Sequence, residues 1–130
     1  MLKIKLTSVF VHDPETAHKF YTDILGFQTK MNLDMGEFKF ITVVSPDAPN
    51  GVELLLEPNN NPIAKTYQAA LFEQNIPAAA FNVDDIQAEY DKLTGLGVAF
   101  KSAPQASGPV IQAVFNDTCG NLIQLFQVQG

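Results

Sequence analysis

Apolar and polar residues alternate along residues 3–11. Ile4, Leu6, Ser8 and Phe10 fall on one face, and Lys5, Thr7, Val9 and Val11 on the other. That period of two predicts a β-strand. Asp13-Pro14 follows as an N-cap with proline at the first helical position. The period then changes: Ala17, Phe20, Tyr21 and Ile24 make a helical stripe that Gly26 ends. Phe38–Val44 and Val52–Glu57 read as strands around the Pro/Asn/Gly-rich turn at residues 45–51. A polar stretch from Glu57 to Pro62 and a short helix near Ile63–Phe72 come next.

The plan then repeats. Ala78–Val83 predicts a strand, and Ile86, Tyr90 and Leu93 mark one face of a helix. Asp84 with Gln87 three residues on has the pattern of a capping box. Val98–Phe100, Val110–Asn116 and Asn121–Val128 complete the strands, the last two joined by the turn Asp117-Thr118-Cys119-Gly120. A shift of about 71 residues lays Asp13 on Asp84, Ala17 on Ala88, Leu25-Gly26 on Leu96-Gly97, and Val52-Glu53-Leu54 on Ile123-Gln124-Leu125. The chain is therefore read as one α+β domain, residues 1–130, built from two βαβββ repeats. These span about 1–58 and 76–130, with a helical linker at about 59–75.

Composition narrows the function. The 130 residues, 46% hydrophobic, suffice for a real core, and no run of about 18 apolar residues predicts a membrane span. The eight positive residues are all lysine, and the net charge is −6. Nucleic acid is not an expected partner of such a chain, because phosphate-backbone binding needs a concentrated basic surface. Lack of arginine also removes the usual bidentate clamp for carboxylates and phosphates. The single cysteine, Cys119, cannot form an internal disulfide, and the first residues lack a signal peptide's apolar stretch, so the expected location is the cytoplasm.

His12-Asp13-Pro14 through Phe20-Tyr21-Thr22-Asp23-Ile24-Leu25-Gly26-Phe27 resembles the first-half signature of the vicinal-oxygen-chelate superfamily. That superfamily includes glyoxalase I, extradiol dioxygenases, fosfomycin-resistance transferases and bleomycin-binding proteins. Val83-Asp84-Asp85 and the turn Asn116-Asp117-Thr118-Cys119-Gly120-Asn121 are similar to the second-half signature, usually written Asp-Pro-Asp-Gly-Asn. Thr118 and Cys119 depart from that turn, while Gly120 keeps its place. The resemblance implies that the repeats curl into a half-open barrel, commonly in a homodimer, around a small-molecule cleft. It implies metal ligands on the first and last strand of each repeat. Here those positions fall on Leu6, Glu53, Ala78 and Gln124.

Leucine and alanine donate no electron pair, and catalytic Zn or Fe sites generally take three or more protein ligands. No metal and no cofactor are therefore expected, and whether the chain is an enzyme stays open. The expected function is metal-independent binding of a small organic molecule. Two alternatives use Glu53: a glyoxalase-like or dioxygenase-like enzyme with a divalent metal on Glu53 and Gln124, or a cofactor-free lyase or isomerase with Glu53 as base. Parity puts Glu53 opposite Val52, Leu54 and Leu56: if those three cover the helix side, Glu53 points into the cleft, and otherwise it sits at an open, hydrated rim. Ala78 and Ala80 leave volume on a strand where small residues are unusual. The expected lining is Leu6, Ser8, Phe10, Glu53, Leu55, Ala78, Ala80, Asn82, Gln112, Gln124 and Phe126. His12 and His18 read as surface groups and Cys119 as an inert turn thiol, while strand phenylalanines such as Phe40 and Phe115 read mostly as core.

Overall fold

The computed structural model describes residues 1–129. The chain divides into two compact units, Met1–Thr66 and a second that begins at Tyr67. The first unit runs β1 (Leu6–Val11), α1 (Pro14–Lys19), β2 (Gln28–Asp34), β3 (Lys39–Val44) and β4 (Glu53–Pro58). Its strands lie in the order β1-β4-β3-β2, with β1 parallel to β4 and the other pairs antiparallel. Asp13 caps α1 as the sequence predicts: its carboxylate accepts from the Glu15 amide at 3.4 Å and the Thr16 hydroxyl at 2.6 Å. The helix continues as a π-helical turn, Phe20–Ile24, and the chain leaves through Gly26 at φ +86°.

One face of this sheet is closed by α1, which packs on β3 and β4. Val9, Val11, Ile41, Val43 and Leu56 are buried on that side, with Ala17 and Tyr21 of the helical segment buried as well. Tyr21 stacks on Phe27 at a centroid distance of 6.5 Å. The other face is free of helix. β2 is an edge strand whose residues are all exposed. The short alternation Met31, Leu33 is its only apolar signal, which is why periodicity locates no strand at residues 28–34.

The second unit follows the same order: β5 (Ala79–Asn82), α3 (Ile86–Gly95), β6 (Gln105–Ser107), β7 (Val110–Asn116) and β8 (Leu122–Val128), arranged β5-β8-β7-β6. Helix α3 packs on β7 and β8, with Ile86, Leu93, Ala113, Phe115, Ile123 and Leu125 buried. Tyr90, Phe100 and Phe115 extend that core as an aromatic run, with centroids 4.8 and 5.5 Å apart.

Three local expectations need correction. The cap of α3 is Asp85, which accepts from the Ala88 amide at 3.1 Å; Gln87 instead donates to Asp91, so Asp84 and Gln87 form no capping box. Val98–Phe100 is not a strand but contributes one bridge, Phe100 to Phe115, because Phe100 turns into the aromatic core. The edge strand of that sheet is Gln105–Ser107, three exposed residues with no apolar period to betray them.

Helix α2 (Pro62–Glu73) contains the unit boundary. Asn61 opens it by accepting from the Ala64 amide at 2.8 Å. Within the second unit, buried Gln68 donates to the Cys119 carbonyl and to Asn121 Oδ1, each at 3.2 Å. No helix among the described residues is long and apolar enough to cross a membrane.

Candidate functional site

Register decides which side chains share a face. In the first sheet Leu6 lies beside Glu53, Ser8 beside Leu55 and Phe10 beside Glu57. Leu55 pairs in turn with Thr42, and Thr42 with Met31. Neighbouring residues in register point the same way, so all of these lie on the face opposite α1. Every first-unit residue predicted for the cleft is therefore on one helix-free face: Leu6, Ser8, Phe10, Glu53 and Leu55. Glu57, Thr42, Met31, Phe40 and Leu33 belong there too. Glu57 was legible from parity, being two residues beyond Leu55; the others needed the β3 pairing, which no local pattern encodes.

Leu6, Met31 and Leu33 are exposed on this face at 50%, 37% and 45%, a large apolar exposure for one sheet surface. Its polar groups are few. Thr42 is fully buried and donates its hydroxyl to Glu53 Oε1 at 2.7 Å. Glu53 is half-buried and takes part in no ion pair. Glu57, also half-buried, stands about 13 Å further along β4 at the ordinary strand rise. The nearby lysines are turned elsewhere: Lys5 donates to the Asn50 and Gly51 carbonyls, Lys30 to the Pro49 carbonyl and Asn50 Oδ1, and Lys39 pairs with Glu15 at 3.1 Å.

The second unit has its own helix-free face. Ala80 lies beside Gln124 and Asn82 beside Phe126, while Gln112 pairs with Phe126 across β7 and β8. Ala80 and Asn82 are exposed, and Gln112, Gln124 and Phe126 are half-buried. The face carries no charged side chain among these residues and is rich in carboxamides. Phe115 is on the opposite side and fully buried in the core. Ala78 stands just before β5, where its amide donates to the Leu122 carbonyl at 2.8 Å. Leu6 and Ala78 both precede their capping aspartates, Asp13 and Asp85, by seven residues. The strand pairings are nevertheless not equivalent: Leu6 faces Glu53, but it is Ala80, not Ala78, that faces Gln124.

The donor set expected of a metal-dependent member does not match these residues. Leu6 and Ala78 supply no ligand atom, and Thr42 already engages one oxygen of Glu53. Among the described residues, no three His, Cys, Asp or Glu side chains come together in a group able to hold a metal. His12 is exposed, His18 is bonded through Nε2 to the Thr29 hydroxyl at 2.6 Å, and Cys119 is buried.

A hollow of about 370 Å³ also opens between the start of α1 and the β2–β3 turn, lined by Asp13, Glu15, Asp34, Glu37, Phe38 and Lys39 among others. Most of its carboxylates are in use. Asp13 serves the helix, Asp34 accepts from the Gly36 amide at 3.0 Å, and Glu15 pairs with Lys39. The Thr16 hydroxyl, chiefly, holds the Asp13 carboxyl below its ordinary value. The hollow serves the local structure and is separate from the Glu53 face.

Two four-stranded mixed sheets, each with a helix on one face only, define an α+β protein of paired βαβββ modules. The chain matches the model of the Glyoxalase/Bleomycin resistance protein/Dioxygenase superfamily over residues 3–125 and belongs to that superfamily. It is 52% identical to the uncharacterized protein YurT of Bacillus subtilis (strain 168), over 97% of this chain and 99% of that one. Among solved structures it is similar to UcmS2, with a TM-score of 0.83 and 27% identity over 97% of this chain and 98% of the other. TnmS3, an antibiotic binding protein from Streptomyces sp. CB03234, shares the fold with a TM-score of 0.76 at 24% identity, over 99% and 98% of the two chains.

Proposed function

We propose that this protein binds a small, partly apolar organic molecule on its helix-free sheet faces without using a metal. The observation that carries the reading is the first-sheet face itself: exposed Leu6, Met31 and Leu33 surround a few fixed polar groups, and the superfamily resemblance implies a metal donor at the position Leu6 holds. Small-molecule sites are commonly apolar surfaces with few placed polar anchors. That TnmS3 is an antibiotic binding protein on the same fold supports the reading as an analogy of fold. The working form in this proposal is a cytoplasmic homodimer that sequesters its guest.

The competing readings both pass through Glu53, as a metal ligand with Gln124 or as a proton-abstracting base. A calorimetric titration of tag-free, chelator-stripped protein with Zn, Ni, Co, Mn and anaerobic Fe(II) separates them from ours. We expect no stoichiometric binding by the wild type. Tight one-to-one binding that Glu53→Ala abolishes would overturn metal independence and make Gln124 the next residue to test.

A further inference from the structure

We propose that the molecule bound on the first-sheet face is an organic cation, and that Thr42 is the residue that sets this preference by positioning Glu53. The inference rests on the small-molecule reading above and names its ligand class.

The argument begins with what Glu53 lacks. It is a half-buried carboxylate in an apolar neighbourhood, with Leu6 beside it in register and Leu55 two residues along the same strand. Such a group is costly to desolvate unless a donor or an opposite charge meets it. Only one donor does. The Thr42 hydroxyl, on a side chain with no exposed surface, reaches Oε1 at 2.7 Å. Every lysine near this face is committed to a backbone carbonyl, to Asn50 or to Glu15. The second oxygen, Oε2, meets no protein donor and is reached by solvent, so a donor from outside the chain can take the place of water there.

Thr42 does more than satisfy half of the carboxylate. A β-branched side chain has few rotamers, and burial fixes this one, so the hydroxyl pins Glu53 in a single orientation. A pinned carboxylate loses less conformational freedom on meeting a ligand. The complementary head group is a protonated amine, amidine or similar N–H cation, whose charge-assisted bond to Oε2 is among the stronger hydrogen bonds. Its apolar body would lie over Leu6, Leu55 and Met31. Thioether side chains adapt to differing shapes, so the head group, not the body, is the selective part. Glu57 stands about 13 Å further along the same face, within reach of a second cationic group on an elongated guest. A ligand with an anionic head would instead meet two carboxylates and no cation.

A matched probe pair tests this: 1-naphthylmethylamine, protonated at pH 7, and 1-naphthalenemethanol, its neutral counterpart. Binding is read from amide shifts of Thr42, Glu53 and Leu55 in ¹⁵N-labelled full-length protein, at 0.15 M salt so that the overall negative charge is screened. We expect the amine to bind about tenfold more tightly than the alcohol, the scale of one hydrogen bond to a charged group. Glu53→Gln should bring the two affinities within about threefold. Thr42→Val should reduce the amine-to-alcohol ratio about fivefold, and Thr42→Ser, which restores the hydroxyl, should recover most of it.

Equal binding of both probes by the wild type would overturn the cation preference and leave the small-molecule reading standing. Failure of both probes to shift this face would count against that reading and the inference together. A ratio unchanged by Thr42→Val would refute the role of Thr42. Should Thr42→Val not fold, a ratio retained in Glu53→Gln is the overturning result, since general attraction to an acidic protein would survive that change.

Discussion

Replacing Asp117 with alanine should cost this protein more stability than any surface change, because the turn between β7 and β8 is built around its carboxylate. Asp117 is fully buried, and Cys119 and Asn121 are 2% and 3% exposed. Oδ1 accepts from the Cys119 amide at 2.7 Å and the Asn121 amide at 3.0 Å, while Oδ2 accepts from Asn121 Nδ2 at 2.9 Å. The same asparagine receives Gln68 from α2 at 3.2 Å. Asp117→Ala therefore takes this acceptor from two backbone N–H groups and one side-chain amide in a buried turn. At about 1–3 kcal/mol for each unmet buried donor, and allowing for relaxation, the loss is about 3–5 kcal/mol. That is a large share of the 5–15 kcal/mol typical of a folded domain. Asp117→Asn keeps an acceptor for the backbone but sets an amide nitrogen against Asn121 Nδ2, for a loss of about 1–2 kcal/mol. Equilibrium urea unfolding followed by circular dichroism reads both, provided the m-value is unchanged. The reasoning fails if Asp117→Ala stays within about 1 kcal/mol of wild type, or if asparagine proves worse than alanine.

Three further outcomes follow from the same structure. Ser8→Phe should fold, since Ser8 is exposed on the first helix-free face beside Leu55, but should weaken binding of a naphthyl probe about tenfold by occupying the surface the guest needs; undiminished binding would show that the guest does not use this face. Asp13→Asn should remove a pH-dependent part of stability: the folded carboxyl is held low by Thr16, so its contribution is present above the unfolded value near 4 and vanishes as the pH falls through the lowered folded value. Thermal melts at pH 7 and pH 2 should accordingly show a smaller difference in the variant. Gly97→Ala should cost about 1 kcal/mol by urea unfolding. Its φ is +91° and a Cβ there meets nothing within 4 Å, so the penalty is one of backbone conformation alone.

The parts of the fold that close a core were readable, and the parts that do not were hidden. β1 and β7 announce themselves because each alternates between a helix-packed and a helix-free side, and Asp13 announces α1 through the cap it provides. β2 and β6 bury nothing, so their pairing comes from backbone hydrogen bonds to β3 and β7 that side-chain pattern does not record. The site divides similarly. Parity along β1 and β4 sufficed to put Leu6, Ser8, Phe10, Glu53 and Leu55 on one face. Thr42 was not foreseeable, because its place beside Glu53 depends on a β3–β4 register set by a turn eight residues long. The pairing of Ala80, not Ala78, with Gln124 was likewise not legible, because the two units pair their outer strands in different registers.

The central claim is that the helix-free faces hold an organic guest without a metal, and amide-resolved screening of aromatic fragments against chelator-treated protein tests it most directly. The account predicts shifts concentrated at Leu6, Ser8, Phe10, Glu53 and Leu55 and at Ala80, Gln124 and Phe126, unaltered by added Zn. Shifts confined to the helix-covered sides, or binding that appears only once metal is restored, would contradict it.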